Sequence, residues 1–372
     1  MIIGVPKEAP LGRGMEERRV GLSPAGVAEL VEQGAKVLVE REAGAGAHFS
    51  NLAYERAGAQ IVLSHEEIFR RADLICKVGR VSDEEWHFLK EGQIVTGFLH
   101  LITASKLVLK GLVDRKITSI AYELIEEPDG RLPVLNPTSE IAGKMVPQLA
   151  GRLLERGRGT LLGGIPGIPP ADVVILGGGT LGYHAARALR GVGATVYILE
   201  KRARRLEKLD KYFDGSIVTA VATRANIEKY VRFADVLVGA VLESGGRSPV
   251  LVTREMVRSM EPGSVILDFS IDRGGCIETS RLTPSEEYAY LEEGIWHFCM
   301  PNASSLVART ATHALTNAAL PYLKNLVKHG LDESLKFMPE LTHGICTHLG
   351  AITQKHLARE HALEYHALER QL

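Results

Sequence analysis

Between residues 171 and 200 the chain reads as an apolar strand, a glycine-rich turn, a helix and a second apolar strand, and few folds accept that order. Val173, Val174, Ile175 and Leu176 lead straight into Gly177, Gly179 and Gly182, the G-x-G-x-x-G spacing. The first glycine permits a tight turn, the second lets main-chain N–H groups approach a diphosphate, and the third lets the helix lie against the strand. The strand through Thr195, Val196, Tyr197, Ile198 and Leu199 ends on Glu200, 18 residues beyond Gly182, where a carboxylate that accepts hydrogen bonds from a ribose is expected. A glycine turn without a ligand would need only part of this pattern. The whole predicts a parallel α/β unit that binds a dinucleotide. Glu200 would repel a 2′-phosphate and so favours NAD. Lys201, Arg202, Arg204 and Arg205, read as a solvated basic turn, are the residues that would instead serve NADP.

The same alternation starts at the first residues. Apolar runs at 2–5, 36–40, 74–78, 93–97 and 118–122 read as strands, and Ser23 followed by Pro24 starts a helix between the first two. A longer helix is expected from about Thr138 to Glu155, kinked at Pro147. Residues 157–170 hold five glycines and three prolines, which predicts a loop opening the second unit. Further strands follow at 236–241 and 265–268, and beyond Asn302 the tail reads as helical only, a segment that must pack back on the first unit. Strands alternating with helices in two series predict an α/β protein of two Rossmann-like, doubly wound domains.

A chain of 372 residues suits two such domains, and its 45% hydrophobic content is that of a soluble globular protein. A net charge of -1 gives no general attraction to nucleic acid or anionic membrane. Four cysteines, Cys76, Cys276, Cys299 and Cys346, lie far apart, which argues against a disulfide scaffold or a zinc ribbon. The apolar runs are shorter than a membrane span, and the reading is a cytoplasmic protein. Of thirteen histidines, the five at 343, 348, 356, 361 and 366 lack the spacing of a ligand set, so no metal is expected.

Four side chains outside the turn carry chemistry. Arg19, just before a helix, has the fork that grips a carboxylate, or it forms a surface ion pair. Lys77 sits inside an apolar strand, pointing either to a cleft or to an exposed face. His100 ends a strand and suits proton transfer, unless it is a hydrogen-bonded structural residue. Asp268 and Asp272 stand near the nucleotide crevice, and spacing alone does not say which of them acts.

In order along the chain, several segments resemble the alanine dehydrogenase family, which includes the NAD-binding subunit of transhydrogenase. They are Gly4-Val5-Pro6-Lys7-Glu8, Arg19 to Pro24, Phe98 to Leu101, Ser119 to Glu123, Ser139 to Gly143, Gly163 to Gly167, the glycine turn and Ile271 to Cys276. The resemblance implies an NAD domain, residues 133–308, inserted into a discontinuous catalytic domain, residues 1–132 plus 309–372. It implies reversible oxidative deamination of L-alanine, with Arg19 and Lys77 on the substrate and His100 with Asp272 as the acid–base pair. Ser139, Gly177, Gly179, Gly182, Glu200 and Asn302 would hold the cofactor. The family's usual assembly is a homohexamer, and its small-molecule partners are an amino acid and a 2-oxo acid.

Departures from the family pattern fall in the segments 79–81 and 301–308, and in extra residues, Gly12, Arg13 and Gly14, ahead of Arg19. They leave open a larger amino acid, as in the related saccharopine dehydrogenases. A catalytically idle NAD-binding regulator is the other alternative. The transhydrogenase relative lacks counterparts of His100 and Asp272, both present here.

Overall fold

The computed structural model describes residues 1–10, 16–242, 246–283 and 289–368. Gly12, Arg13 and Gly14 lie outside the described residues, as does the end of the helix-like tail run.

The first sheet begins with β1 (Ile2–Val5), β2 (Lys36–Glu40), β3 (Gln60–Val62), β4 (Leu74–Gly79), β5 (Ile94–Phe98) and β6 (Thr118–Ala121). Between these strands run α1 (Pro24–Glu32), α2 (Asn51–Arg56), α3 (His65–Arg71) and α4 (Lys106–Asp114). Ser23 caps α1 as expected, its side chain accepting the Gly26 N–H, with Pro24 at the first helical position. The long α5 (Leu135–Arg156) runs unbroken through Pro147 into the glycine- and proline-rich loop.

The second sheet holds β7 (Asp172–Leu176), β8 (Thr195–Glu200), β9 (Val218–Val221), β10 (Val236–Gly239), β11 (Val265–Asp268), β12 (Tyr290–Glu292) and β13 (Ile295–Phe298). Its helices are α6 (Thr180–Gly191), α7 (Ala203–Phe213), α8 (Arg224–Phe233) and α9 (Arg254–Arg258). The chain then returns through α10 (Ala308–Phe337), interrupted at Gly330 (φ 75°, ψ -177°), and α11 (Leu341–Gly344). It finishes with β14 (Ile345–His348), β15 (Ala351–Ile352) and α12 (Lys355–His361).

Strand order is β15-β14-β6-β5-β4-β1-β2-β3 in the first sheet and β12-β13-β11-β10-β7-β8-β9 in the second. The pairings from β6 to β3 and from β13 to β9 are parallel, and among the described residues the antiparallel pairings are those of β14 with β6 and β15 and of the edge strand β12 with β13. Each sheet carries buried apolar clusters on both faces, as a doubly wound α/β layer requires. The order reverses between β1 and β4 and again between β7 and β10, and such switch points open crevices beyond the strand C-termini.

The tail corrects one expectation. It is not helical only: β14 and β15 extend the first sheet beside β6, and the last helix ends at His361, with Ala362 left-handed. Both chain ends therefore build one sheet, and the second sheet lies wholly between residues 172 and 298.

Candidate active site

The turn after β7 is shaped by its glycines. Gly177 has φ 105°, a left-handed conformation that side chains resist, and its N–H donates to Leu199 O on β8. A Cβ on Gly182 would stand 1.9 Å from Gly177 O, so only glycine lets α6 close on the turn. Gly179 caps α6, and a Cβ there would meet nothing nearer than Arg205 Nη1 at 3.8 Å, which leaves the helix N-terminus open to a ligand. Glu200, 4% exposed, ends β8 and turns back to the loop. Its Oε2 accepts the Gly178 N–H at 2.9 Å, its Oε1 accepts the Arg202 N–H at 2.9 Å, and Arg205 Nη1 lies 3.5 Å away. A dinucleotide diphosphate fits this side-chain-free cradle, with a carboxylate at the ribose end.

The cradle opens into a cavity of about 390 Å³, lined by Gly177, Gly179, Thr180 and Glu200 at one end and by Arg19, His100, Asp272 and Asn302 at the other. That volume suits a small-molecule site. Asn136, Thr138 and Ser139, on the first turns of α5, line it between the two ends. The crevices of the two sheets thus form one space.

Arg19 is 2% exposed. Its Nε and Nη2 donate to the two oxygens of Glu17 at 2.8 and 2.7 Å, and Nη1 donates to Ser304 Oγ at 3.0 Å. Burial alone would lower its pKa, but Glu17 more than compensates and keeps the guanidinium charged. Three of five donors are used in these bonds, which leaves one on each terminal nitrogen, the pair that a second carboxylate needs.

His100 leaves β5 in a left-handed conformation, φ 41° and ψ 44°. Burial pushes its imidazole down to about 4, with Arg273, Arg80 and Arg19 adding to the effect and Asp272 opposing it. Burial pushes the Asp272 carboxyl up, against His100 and the Asn302 N–H, which donates to Asp272 Oδ1 at 3.0 Å. The two proton affinities are drawn toward each other, which suits a pair that passes a proton.

Asp268, by contrast, is tied up. Its oxygens accept from Ser270 N, Cys276 N and Ser280 Oγ at 2.9, 2.9 and 2.7 Å, and it does not line the cavity. Asn302, left-handed at φ 50°, and Ser139 both line it.

Lys77 is not brought to the cavity lining with the others. It is fully buried, and its Nζ lies 2.7 Å from Glu85 Oε1 and 3.3 Å from Glu8 Oε2. Burial would lower its pKa, but the two carboxylates hold it raised. Its position is neither a cleft nor an exposed face but a sealed ion cluster.

Sequence reasoning missed Glu17, Glu123, Arg273 and Ser304. Glu17 lies two residues before Arg19, a spacing that lets one carboxylate bond both the Arg19 N–H and its guanidinium. Glu123 follows β6 and holds the His100 amide at 2.7 Å. Arg80, in one altered segment, sits at the His100 loop with its Nη1 on Thr103 Oγ1 at 3.0 Å. Among the described residues no three His, Cys, Asp or Glu side chains converge as metal ligands, and no helix is long and apolar enough to cross a membrane.

Comparison with known proteins agrees with this architecture. Residues 4–142 match the alanine dehydrogenase/PNT N-terminal domain and residues 148–355 its C-terminal domain. An alanine dehydrogenase of Methanococcus maripaludis is 44% identical over the full length of both chains, and alanine dehydrogenase 2 of Staphylococcus aureus is 41% identical over the same span. A solved L-alanine dehydrogenase superposes with a TM-score of 0.88 at 39% identity, over 97% of this chain and 99% of that one. A transhydrogenase from Sinorhizobium meliloti shares the fold, with a TM-score of 0.77 at 24% identity over 95% of this chain and 99% of that one. The chain belongs to the alanine dehydrogenase/PNT family and is one of its oxidoreductase enzymes.

Proposed function

We propose that the protein catalyses the reversible, NAD-dependent oxidative deamination of L-alanine to pyruvate and ammonium. The observation that carries this reading is the single cavity joining the glycine cradle to Arg19, His100 and Asp272. Gly177, Gly179, Ser139, Glu200 and Asn302 would hold NAD, which when bound supplies the hydride acceptor.

Arg19 takes the substrate carboxylate on its two remaining donors, and this fixes the direction of the Cα–H bond. Held in line, the reaction needs no encounter step, an effect that reaches ~7–11 kcal/mol in favourable cases. Loss of hydride from Cα of the neutral amine leaves an iminium. Water attacks the iminium carbon while His100, neutral at physiological pH, accepts one proton from it, and Asp272 stabilises the resulting imidazolium. His100 returns that proton to the carbinolamine nitrogen, the C–N bond breaks to release ammonia, and the hydroxyl proton passes through His100 to the departing ammonia, leaving pyruvate and ammonium. Lys77 acts from behind the site, holding Glu8 and Glu85, whose carboxylates bind main-chain N–H groups at Val78 and Ser82. By family resemblance the enzyme works in the cytoplasm as a homo-oligomer, a hexamer, which sedimentation would check.

A panel of L-amino acids with NAD⁺ and NADP⁺ tests the reading. L-Alanine with NAD⁺ should give the fastest production of reduced cofactor, rising with pH as the neutral amine becomes available. Preference for a bulkier amino acid would move the substrate to the saccharopine type, with the small side chains of Ala303 and Ser304 in the cavity wall giving it room. No reduction with any substrate would leave an idle NAD-binding regulator.

A further inference from the structure

Glu123 follows directly on β6 and is 3% exposed, among the most deeply buried carboxylates of the chain. Its Oε2 accepts the Leu99 N–H at 3.1 Å and its Oε1 accepts the His100 N–H at 2.7 Å. The β5–β6 pairing ends at Gly97 and Ala121, so these two amides lie just past the point where β6 can serve them. One carboxylate replaces the missing stretch of ladder. It does so at a residue whose left-handed backbone a non-glycine side chain tolerates only where its surroundings hold it.

The same Oε1 lies 3.7 Å from His100 Nδ1, beyond a hydrogen bond, and Nδ1 is buried with no partner of its own. The ring is not tied to Glu123; its main chain is. Arg273, 5% exposed and part of the cavity wall, balances the carboxylate electrostatically, and Cys346 on β14 also lies within its field. Burial pushes the Glu123 carboxyl up, with Arg273 and the bound amides pulling it down.

We propose that Glu123 is the positioning residue of His100: it fixes the imidazole at the cavity through the backbone, and it presents negative charge to Nδ1 when Nε2 takes a proton. This rests on the reading of His100 as the proton carrier in alanine oxidation. The charged groups facing His100 are Asp272, Arg273, Arg80 and Arg19, in addition to Glu123 itself. Removing Glu123 therefore leaves three cations against one carboxylate and makes the imidazolium harder to form.

The test compares the full-length wild type with Glu123→Gln, Glu123→Asp, His100→Ala and the double variant Glu123→Gln/His100→Ala. Glutamine keeps one acceptor but turns an NH₂ group toward an N–H. Glu123→Gln is expected to lower kcat for L-alanine about 100-fold, the lower end of what a positioned acid–base group contributes. NADH affinity should stay in place, and the pH limb of kcat/KM assigned to His100 should shift. Glu123→Asp should recover part of the rate, and should Glu123→Gln not fold, it carries the same comparison. In the His100→Ala background, Glu123→Gln should remove nothing further. Wild-type kinetics in Glu123→Gln, or the full loss repeated in the His100→Ala background, would overturn the proposal. If the wild type does not oxidise L-alanine, the reading of the reaction fails separately. Amide hydrogen exchange over residues 94–104 then decides: faster exchange at Leu99 and His100 with the glycine turn unchanged supports the tie, and unchanged exchange refutes it.

Discussion

In the proposed reaction Arg19 would serve two carboxylates, that of Glu17 and that of the substrate, with one guanidinium, and that division would make it intolerant of lysine. A lysine keeps the charge but has a single nitrogen, which cannot bridge Glu17 and also meet a substrate carboxylate in parallel. Arg19→Lys is expected to raise KM for L-alanine by about 10-fold or more, the loss of one charge-assisted hydrogen bond, while NADH binds as before. Steady-state kinetics beside a fluorescence titration would show this, and an equal loss in both would place the effect in the fold instead. At His100 the consequence is one of stability. The unfolded chain takes up this proton near pH 6.5 and the folded protein near 4, so the folded state loses ground as pH falls between those values. By about pH 5 the loss amounts to about 2 kcal/mol. His100→Gln removes it, so urea midpoints should fall less from about pH 7 to about pH 5 in the variant than in the wild type. Parallel declines would show that the imidazole is not held down by burial. The residue types of the site were legible in the sequence, and their partners were not. Ser304 is 285 positions from Arg19, and Lys77 looked like a solvent or cleft residue because nothing local announces Glu8 and Glu85. Buried ion pairs are made by the fold, across distances that a motif does not span.

Among the secondary-structure elements, α5 and α6 matter most to the site, because Asn136, Thr138 and Ser139 on one and Thr180 on the other face the same cavity, with Thr180 Oγ1 bonded to Asn136 Oδ1 at 3.1 Å. They pack closely at Gly143. A Cβ there would lie 2.5 Å from Leu181 O and 2.9 Å from Ala185 N, and backbone atoms cannot rotate aside. Gly143→Ala should push the helices apart, cost roughly 1–3 kcal/mol and weaken NADH binding. Gly191→Ala, at a position on α6 where nothing stands within 4 Å, is the control and should be neutral or mildly stabilising. Thermal melts with NADH titrations would separate the two, and identical behaviour would refute the close packing. Elements with uninterrupted apolar runs, such as β1, β2, β7 and β11, could be read from the sequence because both faces of each are buried. β9 could not, since Val218–Val221 is a half-exposed edge strand. β14 could not for the opposite reason. Thr347 is fully buried, but its hydroxyl donates to Ile117 O and pairs with Ser119 Oγ, both at 2.8 Å, so polar residues pass for loop while lying in the core.

At the scale of the molecule, the question is which pieces could stand alone. The second sheet is continuous in sequence, carries its own buried clusters on both faces and takes α5 against α6. The first sheet is not continuous, because β14 and β15 come from the far end of the chain and β14 pairs directly with β6. Helix α10 also belongs to that half: Thr316 Oγ1 accepts the Ser23 N–H at 2.9 Å, Thr312 Oγ1 accepts the Val20 N–H at 3.2 Å, and Leu315, Ala319 and Leu323 lie in its core cluster. A fragment of residues 133–308 should therefore fold cooperatively and bind NADH, without oxidising L-alanine, because Arg19 and His100 are absent from it. At 176 residues it is long enough to bury a core of its own. A fragment of residues 1–132 should not fold, because it would leave the β6 edge and the apolar seat of α10 open to water, a surface that aggregates. Circular dichroism melts of the two fragments, with NADH fluorescence on the first, would check both expectations. Supplying residues 309–372 on a linker should restore a soluble first half, since the chain ends would then meet as they do in the intact enzyme. If 133–308 proves unfolded while 1–132 folds alone, the insertion of one unit within the other is the wrong description of how this chain is divided.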